Sequence, residues 1–519
     1  MRFPRHPFTP SHEGSRAHRR TLSTLTLGAF LLLGAEAQAG TLYLSRLSAA
    51  EENPPTASTA TGLGVLVLND AENQSTVTAT HTLGATATAG HIHRAAVGVN
   101  GAVIFPFPSP ASPVGPLTWN MSTSAVDSLK AGELYMNFHT AVNPGGAIRG
   151  QLRRALLAPA AVNPAQTRLA NALDISAGYD ADLDAVLIQT NLADTATQSQ
   201  ALREFGTSTI YSAGRQQIDA MTGAETGLFA YAQDARLRPP ANTDRLNTFV
   251  RLGSEFGRRS ATDNQAGATI SRPFVFAGVD RWLSSGAHGG FAIGYSDGRD
   301  SFENGLGHTN AKTTSLHAFA SAALGGLALD AVAGYGWTAL DQTRNLGSLG
   351  RAASASPDGS VWAVALKASR TVALANHNTL VPYALLDVQK ATVDAYSETG
   401  AGAAGLVVSQ RDTWSSAFEG GAALVVPIKT DAGHWTFRAQ AGWRYLLEDG
   451  AARFGTRLAG SPIAFSTEID GPGRSSAHVE TGIDGQLSDS VRLSFGYRGD
   501  LGASAQTVHA IEARLAMQW

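Results

Sequence analysis

His434-Trp435-Thr436-Phe437-Arg438-Ala439-Gln440-Ala441-Gly442-Trp443-Arg444-Tyr445-Leu446 alternates almost without a break. One face carries Trp435, Phe437, Ala439, Ala441, Trp443 and Tyr445; the other carries Thr436, Arg438, Gln440, Gly442 and Arg444. A β-strand sends successive side chains to opposite faces, so this stretch reads as a strand with one apolar and one polar surface. Val491, Leu493, Phe495 and Tyr497 oppose Arg492, Ser494, Gly496 and Arg498 in the same way, and Phe291, Ile293 and Tyr295 oppose Ala292, Gly294 and Ser296. Strand candidates of about 9–13 residues, the length that crosses a bilayer at a tilt, follow one another from Asn247 to Trp519.

Alternation alone also fits a soluble sandwich. Three further features favour a membrane barrel. The strands run on for about 270 residues with no interleaved helix. Trp337, Trp414, Trp435, Tyr445 and Tyr497 gather near strand ends, where an interfacial girdle sits. The terminal stretch Ile511–Trp519 alternates and stops on an aromatic residue. No apolar run after Ala39 approaches the ~18 residues of a transmembrane helix, so a membrane form has to be a closed barrel. Bacterial single-chain barrels use even strand numbers, and 12 antiparallel strands are expected once Arg457–Ser466 is assigned to a surface loop. Arg251, Glu255, Arg438, Arg444, Glu480, Asp484, Arg492 and Arg498 then face the lumen, either simply solvated or paired with an enclosed helix.

Upstream of the barrel region (241–519), residues 156–240 are helix-forming: Ala165–Asp174, Ala181–Leu192, Gln198–Phe205 and Ile210–Tyr231. Their apolar content is thin for an independent core, which favours a linker or pore helix. Residues 40–155 carry short β runs at Thr41–Leu47, Gly62–Leu68, Thr76–Thr82 and Leu134–Thr140, with one helix at Ser122–Ala131, and read as an all-β, sandwich-like domain. Residues 1–39 read as an export signal: Arg16, Arg19 and Arg20 precede the apolar run Leu22–Ala35, and Ala37-Gln38-Ala39 is a small-x-small cleavage site. The Arg19-Arg20 pair leaves the twin-arginine route as an alternative. The chain has no cysteine, which suits a polypeptide that crosses an oxidising compartment unfolded. A net charge of −3 gives no electrostatic footprint for nucleic acid.

Phe249-Val250-Arg251-Leu252-Gly253, Gly278-Val279-Asp280-Arg281, Gly290-Phe291-Ala292-Ile293-Gly294-Tyr295-Ser296 and the aromatic last strand together resemble an autotransporter β-domain. That resemblance implies a 12-stranded barrel with a helix through its pore, in the outer membrane, presenting an upstream passenger at the cell surface. It also implies that Leu515, Met517 and Trp519 form the signal read by the barrel-assembly machinery, with lipid as the other partner.

Leu47-Ser48-Ala49-Ala50-Glu51-Glu52-Asn53-Pro54-Pro55, His91-Ile92-His93 with Gly98-Val99-Asn100-Gly101, and Leu134–Thr140 with Asn143–Leu152 resemble the CHRD (chordin-type) domain. Arg94 and Ala147 depart from that pattern, where a small residue and a Glu are usual. The resemblance implies an extracellular binding or adhesion-type module whose ligand is unknown. The binding candidates are His91, His93, Asn100, Gly101, Asn137, His139, Asn143 and Arg149.

His91 and His93, two apart on a strand, leave one face. With His139, and His81 as a further candidate, they offer imidazole nitrogens suited to Zn or Cu; otherwise they brace loops by hydrogen bonding. Asn143-Pro144-Gly145-Gly146 reads as a connection between two strands, and Arg149 as either a partner-binding charge or one satisfied inside the sheet.

There is no Gly-x-Ser-x-Gly elbow, His-Glu-x-x-His helix or phosphate loop, and Glu51-Glu52 reads as exposed, so no enzymatic role is expected. Two alternatives are a metal-dependent passenger with redox or hydrolytic activity through His91, His93 and His139, and a soluble secreted two-domain β protein.

Overall fold

The computed structural model describes residues 40–237, 246–284, 286–430, 433–449, 451–502 and 506–519. The expected export signal, 1–39, lies outside them. No helix among the described residues is long and apolar enough to cross a membrane.

Twelve strands close on themselves: Leu246–Arg259, Ala268–Ser284, Ala287–Phe302, Gly307–Leu324, Leu327–Leu346, Asp358–Arg370, Thr379–Val393, Arg411–Thr430, Gly433–Asp449, Ser475–Ser488, Val491–Gly502 and Gln506–Gln518. Each pairs antiparallel with the next, and the last pairs with the first from Asn247↔Gln518 to Arg259↔Gln506, so no edge is left. The strands run to 20 residues rather than the expected 9–13, because several continue past the lipid-facing band as hairpins above one mouth. Arg457–Ser466 stays out of the barrel, as expected. It forms the turn and the adjoining strand ends of a hairpin, Ala452–Leu458 with Ala464–Ile469, in a small separate sheet with Tyr396–Ser397 and Leu406–Val408.

Alternation decides what faces where. Along Ala268–Ser284, burial switches at nearly every residue. Val250, Leu252, Val275, Ile293, Leu316, Leu366, Phe418, Trp443, Phe495 and Ile511 project outward and are exposed, forming an apolar belt around the barrel. A belt of that extent is untenable in water and required in lipid. Trp337, Trp414 and Tyr445 are exposed on the same outer surface.

The lumen is filled by a 26-residue helix, Ser212–Leu237, which overruns the expected Ile210–Tyr231 at its C-terminal end. The extension carries Asp234 and Arg236, whose charges find partners in the wall: Asp234 pairs with Arg438 at 2.7 Å and with Arg514, and Arg236 pairs with Asp330. Arg251 bonds the Gly223 carbonyl at 3.0 Å and Glu512 at 2.5 Å, and Glu255 bonds Arg272 at 2.5 Å and Arg498. Arg251 lies so close that a Cβ on Gly227 would stand 2.2 Å from its guanidinium carbon, so a glycine here makes room for the wall charge. The expected lumen charges Arg251, Glu255, Asp484 and Arg498 are buried inward, and Arg444 joins them by pairing with Asp387.

The N-terminal domain comprises β1 (Gly40–Ser48), β2 (Thr61–Asn69), β3 (Gln74–His81), β4 (Ala87–Arg94), β5 (Ala102–Pro106), β6 (Val114–Asn120), β7 (Leu134–Thr140), β8 (Ile148–Gln151) and the short β9 (Arg153–Arg154), with α1 (Thr123–Lys130) after β6. The sheet order β5-β4-β7-β8-β1-β2-β3-β6 divides into two halves joined at the single pair Ser48↔Arg149. The halves face each other over one core containing Leu66, Val77, Ile92, Met136 and Phe138, which is the sandwich-like arrangement expected. At the two ends of the path, Phe105 of β5 stacks on Trp119 of β6 at 4.9 Å.

Three short helices, α2 (Pro164–Leu173), α3 (Ala181–Leu192) and α4 (Thr195–Phe205), are capped by Asn163, Asp180 and Asp194. They form a cap rather than a bare linker. Leu169, Leu187 and Leu202 share one apolar core with Leu42, Leu44 and Val65 of the N-terminal sheet, and with Leu346, Leu406, Val408 and Phe465 from the barrel's long connections. The barrel connections are short at the other end (325–326 and 489–490, for example) and long at this one (347–357, 394–410 and 450–474). In outer-membrane barrels the long connections face the cell exterior.

Ile293, mid-strand in the outer belt, gives a direct check on these faces. Ile293→Arg should destabilise the barrel by about 2–4 kcal/mol in lipid, as followed by heat-dependent gel mobility. Val142→Arg, on an exposed turn of the N-terminal domain, should leave that mobility unchanged.

Candidate functional site

Of the polar residues singled out in the N-terminal domain, His91, His93, Asn137, His139 and Arg149 fall on one face of β4, β7 and β8. Their register pairs Ala89 with His139, His91 with Asn137 and His93 with Tyr135, then Asn137 with Arg149 and Tyr135 with Gln151. Directly paired residues on antiparallel strands share a face. The alternate residues Ile92, Met136, Phe138 and Ile148 are fully buried in the core on the other side. Strand periodicity thus separates a dry face from a polar one within His91-Ile92-His93 itself.

At one end this face is covered by loops. Arg149 is 1% exposed, lies 3.5 Å over the Tyr135 ring, and donates to the Asn100 Oδ1 at 3.2 Å and the Val99 carbonyl at 3.0 Å. Gln151 donates to the Ala95 and Gly132 carbonyls, and the Tyr135 hydroxyl accepts from the Gly101 N–H at 3.0 Å. Gly101 has to be glycine, since a Cβ there would lie 1.9 Å from the Arg94 carbonyl oxygen. Asn100 also donates to the Asn53 carbonyl at 2.7 Å, tying this loop to the one after β1. Of the two readings of Arg149, the geometry realises the charge satisfied inside the sheet. Asn100 and Gly101 act with it as loop fasteners.

The other end is more open and carries the histidines. His93 is buried and stacks on Tyr135 at 4.8 Å, while His91 and His139 are partly exposed. His91 Nδ1 lies 3.3 Å from His139 Nε2, and ring nitrogens of all three lie within 4.8 Å of one another. Burial, then the neighbouring imidazoles, hold the His91 pKa below its usual range. Burial does the same for His93. Both rings are therefore neutral near pH 7. His81 does not join them: its Nε2 bonds the Pro110 carbonyl at 2.7 Å and its ring packs on Phe138. Asn143 is a turn residue, its N–H bonded to Thr140 Oγ1 and its carbonyl accepting from the Gly146 N–H.

Glu52, expected to be exposed, is buried. Both of its carboxylate oxygens accept from Asn137 Nδ2, at 3.2 and 3.0 Å. It follows a single 3-10 turn, Ala49–Glu51, in which residues three apart share a side, so Glu52 turns inward with the buried Ala49 while Glu51 stays out. Burial pushes the Glu52 carboxyl up to about 7, against the smaller opposing pull of Asn137 and Arg149. Sequence reasoning missed Glu52 because a two-residue acidic run before Pro-Pro carries no periodicity.

A closed 12-stranded barrel with an apolar belt, a helix in its lumen and a folded domain at its long-connection mouth defines an integral outer-membrane protein. Residues 248–498 match the family described as "Autotransporter beta-domain", and residues 43–152 match the CHRD domain. The barrel is thus an autotransporter β-domain and the domain ahead of it a CHRD domain; the chain resides in the outer membrane with that domain on the cell surface. Among curated proteins it is 24% identical, over 278 residues, to an extracellular serine protease of Serratia marcescens; the match covers 53% of this chain and 26% of that protein. The chain thus spans about a quarter of that relative's length. Among solved structures, the translocator domain of autotransporter NalP from Neisseria meningitidis aligns with a TM-score of 0.46 at 14% identity, covering 58% of this chain and 98% of that one. The beta domain of the Bordetella autotransporter BrkA aligns with a TM-score of 0.40 at 18% identity, covering 53% and 100%.

The Glu52 shift carries a pH signature. An unfolded Glu titrates near 4.3 and the folded one near 7. Between those values the folded domain binds the extra proton, so its stability falls as pH rises through this window and levels off above it. Pulse proteolysis of the detergent-solubilised chain should show that decline for the N-terminal domain, and Glu52→Gln should flatten it.

Proposed function

We propose that the chain is a surface-display protein whose barrel anchors the CHRD domain, and that this domain works by binding a partner, in the manner of an adhesin, rather than by turnover. The observation that carries this reading is the shared apolar core of Leu42, Leu44 and Val65 with the cap helices and the long barrel connections. An anchor that only had to export a domain would not need to hold it; a fixed domain suits a load-bearing or binding role. The donor-and-acceptor-rich face of β4 and β7, open at its histidine end, is the surface we assign to that partner. Lipid meets the outer belt, and the outward row Leu515, Met517 and Trp519 on the closing strand is the segment we assign to recognition by the barrel-assembly machinery. The protease activity in the name of the Serratia relative belongs to a chain mostly outside the match and is not carried over.

Attachment tests this reading. Cells displaying the full chain should adhere to a polysaccharide- or protein-coated surface, and aggregate, more than cells carrying residues 1–39 joined directly to 156–519. Equal behaviour, with display verified by protease shaving of the N-terminal domain, would reject the adhesive role.

A further inference from the structure

The histidine cluster is organised beyond what loop bracing requires. His139 Nδ1 lies 3.0 Å from the Pro144 carbonyl, and His93 Nδ1 lies 3.0 Å from the Gly101 carbonyl. A carbonyl only accepts, so each Nδ1 carries the proton and each Nε2 presents a lone pair. This is the device by which metal-ligating histidines have their tautomer and ring direction set from behind. In front, the His93 Nε2 is buried without a hydrogen-bond partner, which is costly for an acceptor that binds nothing.

The spacing is also that of a coordination shell. Four-coordinate zinc with nitrogen bonds of ~2.0–2.1 Å places its ligand nitrogens ~3.3 Å apart. His91 Nδ1 and His139 Nε2 are separated by 3.3 Å, and ligand nitrogens of all three histidines lie within 4.8 Å of one another. Two of the ligands lie on β4 and the third on the adjacent β7, so the backbone ladder fixes their relative positions.

We propose that His91, His93 and His139 form a site for one transition-metal ion of the zinc–copper class, held by three neutral imidazoles with a fourth position open to water or an added ligand. The site is independent of whether the domain is adhesive and of what it adheres to. Imidazole nitrogens suit both metals, and the general affinity order places Cu(II) above Zn(II) and Co(II).

The test uses the full chain in detergent, purified without a histidine tag, stripped with EDTA, and titrated with Zn(II) against a chromophoric chelator. One ion per chain should bind, with Cu(II) competing it off. His93→Ala and His139→Ala should each weaken binding at least tenfold, while His81→Ala should change nothing. Binding that is unsaturable, or equal in the His91→Ala/His93→Ala double variant, would overturn the site. Should a variant misfold, the wild type loaded with Co(II) decides: visible bands of four-coordinate nitrogen-ligated cobalt at one equivalent support the proposal, and the weak spectrum of hydrated Co(II) overturns it.

Discussion

Hydrogen bonding between Leu246–Arg259 and Gln506–Gln518 is the contact on which the rest of the molecule depends. Hydrocarbon offers nothing to an unpaired N–H or C=O, so a sheet survives in a bilayer only when its first and last strands meet. Once they meet, strand periodicity does the remaining work. It sends Leu252, Ile293 and Phe495 to lipid, and Arg251, Glu255 and Arg498 to the lumen. The charged interior in turn accommodates a helix that is not hydrophobic enough to fill a dry core. Its glycines admit wall side chains, and its Asp219, Asp234 and Arg236 pair with Arg259, Arg438, Arg514 and Asp330.

The same helix fixes the rest of the chain. It rises through the pore to the mouth with the long connections, where α2, α3 and α4 spread into a cap. That cap has no core of its own. It is completed by barrel connections below and by the outer face of β1 and β2 above, so barrel, cap and N-terminal domain meet in one apolar cluster. Polar ties reinforce it: Arg46 donates to the Leu192 carbonyl at 2.8 Å, and Arg351 pairs with Asp182 at 2.6 Å. The domain is held with its β4–β7–β8 face away from the residues that dock it.

What could be read from the sequence follows the strength of its periodicity. Barrel strands were legible because lipid and water impose opposite demands on alternate residues, and Arg457–Ser466 was separable because closure with an even strand number leaves one candidate over. Convergence of His91, His93 and His139 was legible in part: spacing two apart puts the first pair on one face, whereas His139 depends on a strand register that only the fold supplies. The inward turn of Glu52, the role of Arg149 as a loop fastener and the three-helix cap were not legible. Each depends on contacts between segments far apart in the chain, such as Glu52 with Asn137 or Arg149 with Asn100, and leaves no local pattern.

Because the chain lacks cysteine, single introduced cysteines report topology without background. Val142→Cys stands on the N-terminal domain, Ala375→Cys at the short-connection end and Ile293→Cys on the outer belt. A membrane-impermeant maleimide applied to intact cells should label position 142 alone, reach 375 only after the outer membrane is permeabilised, and reach 293 only after the barrel is unfolded by heat in detergent. Labelling of position 293 in native membranes, or of 375 but not 142 in intact cells, would contradict a closed barrel that faces lipid and carries its N-terminal domain outside.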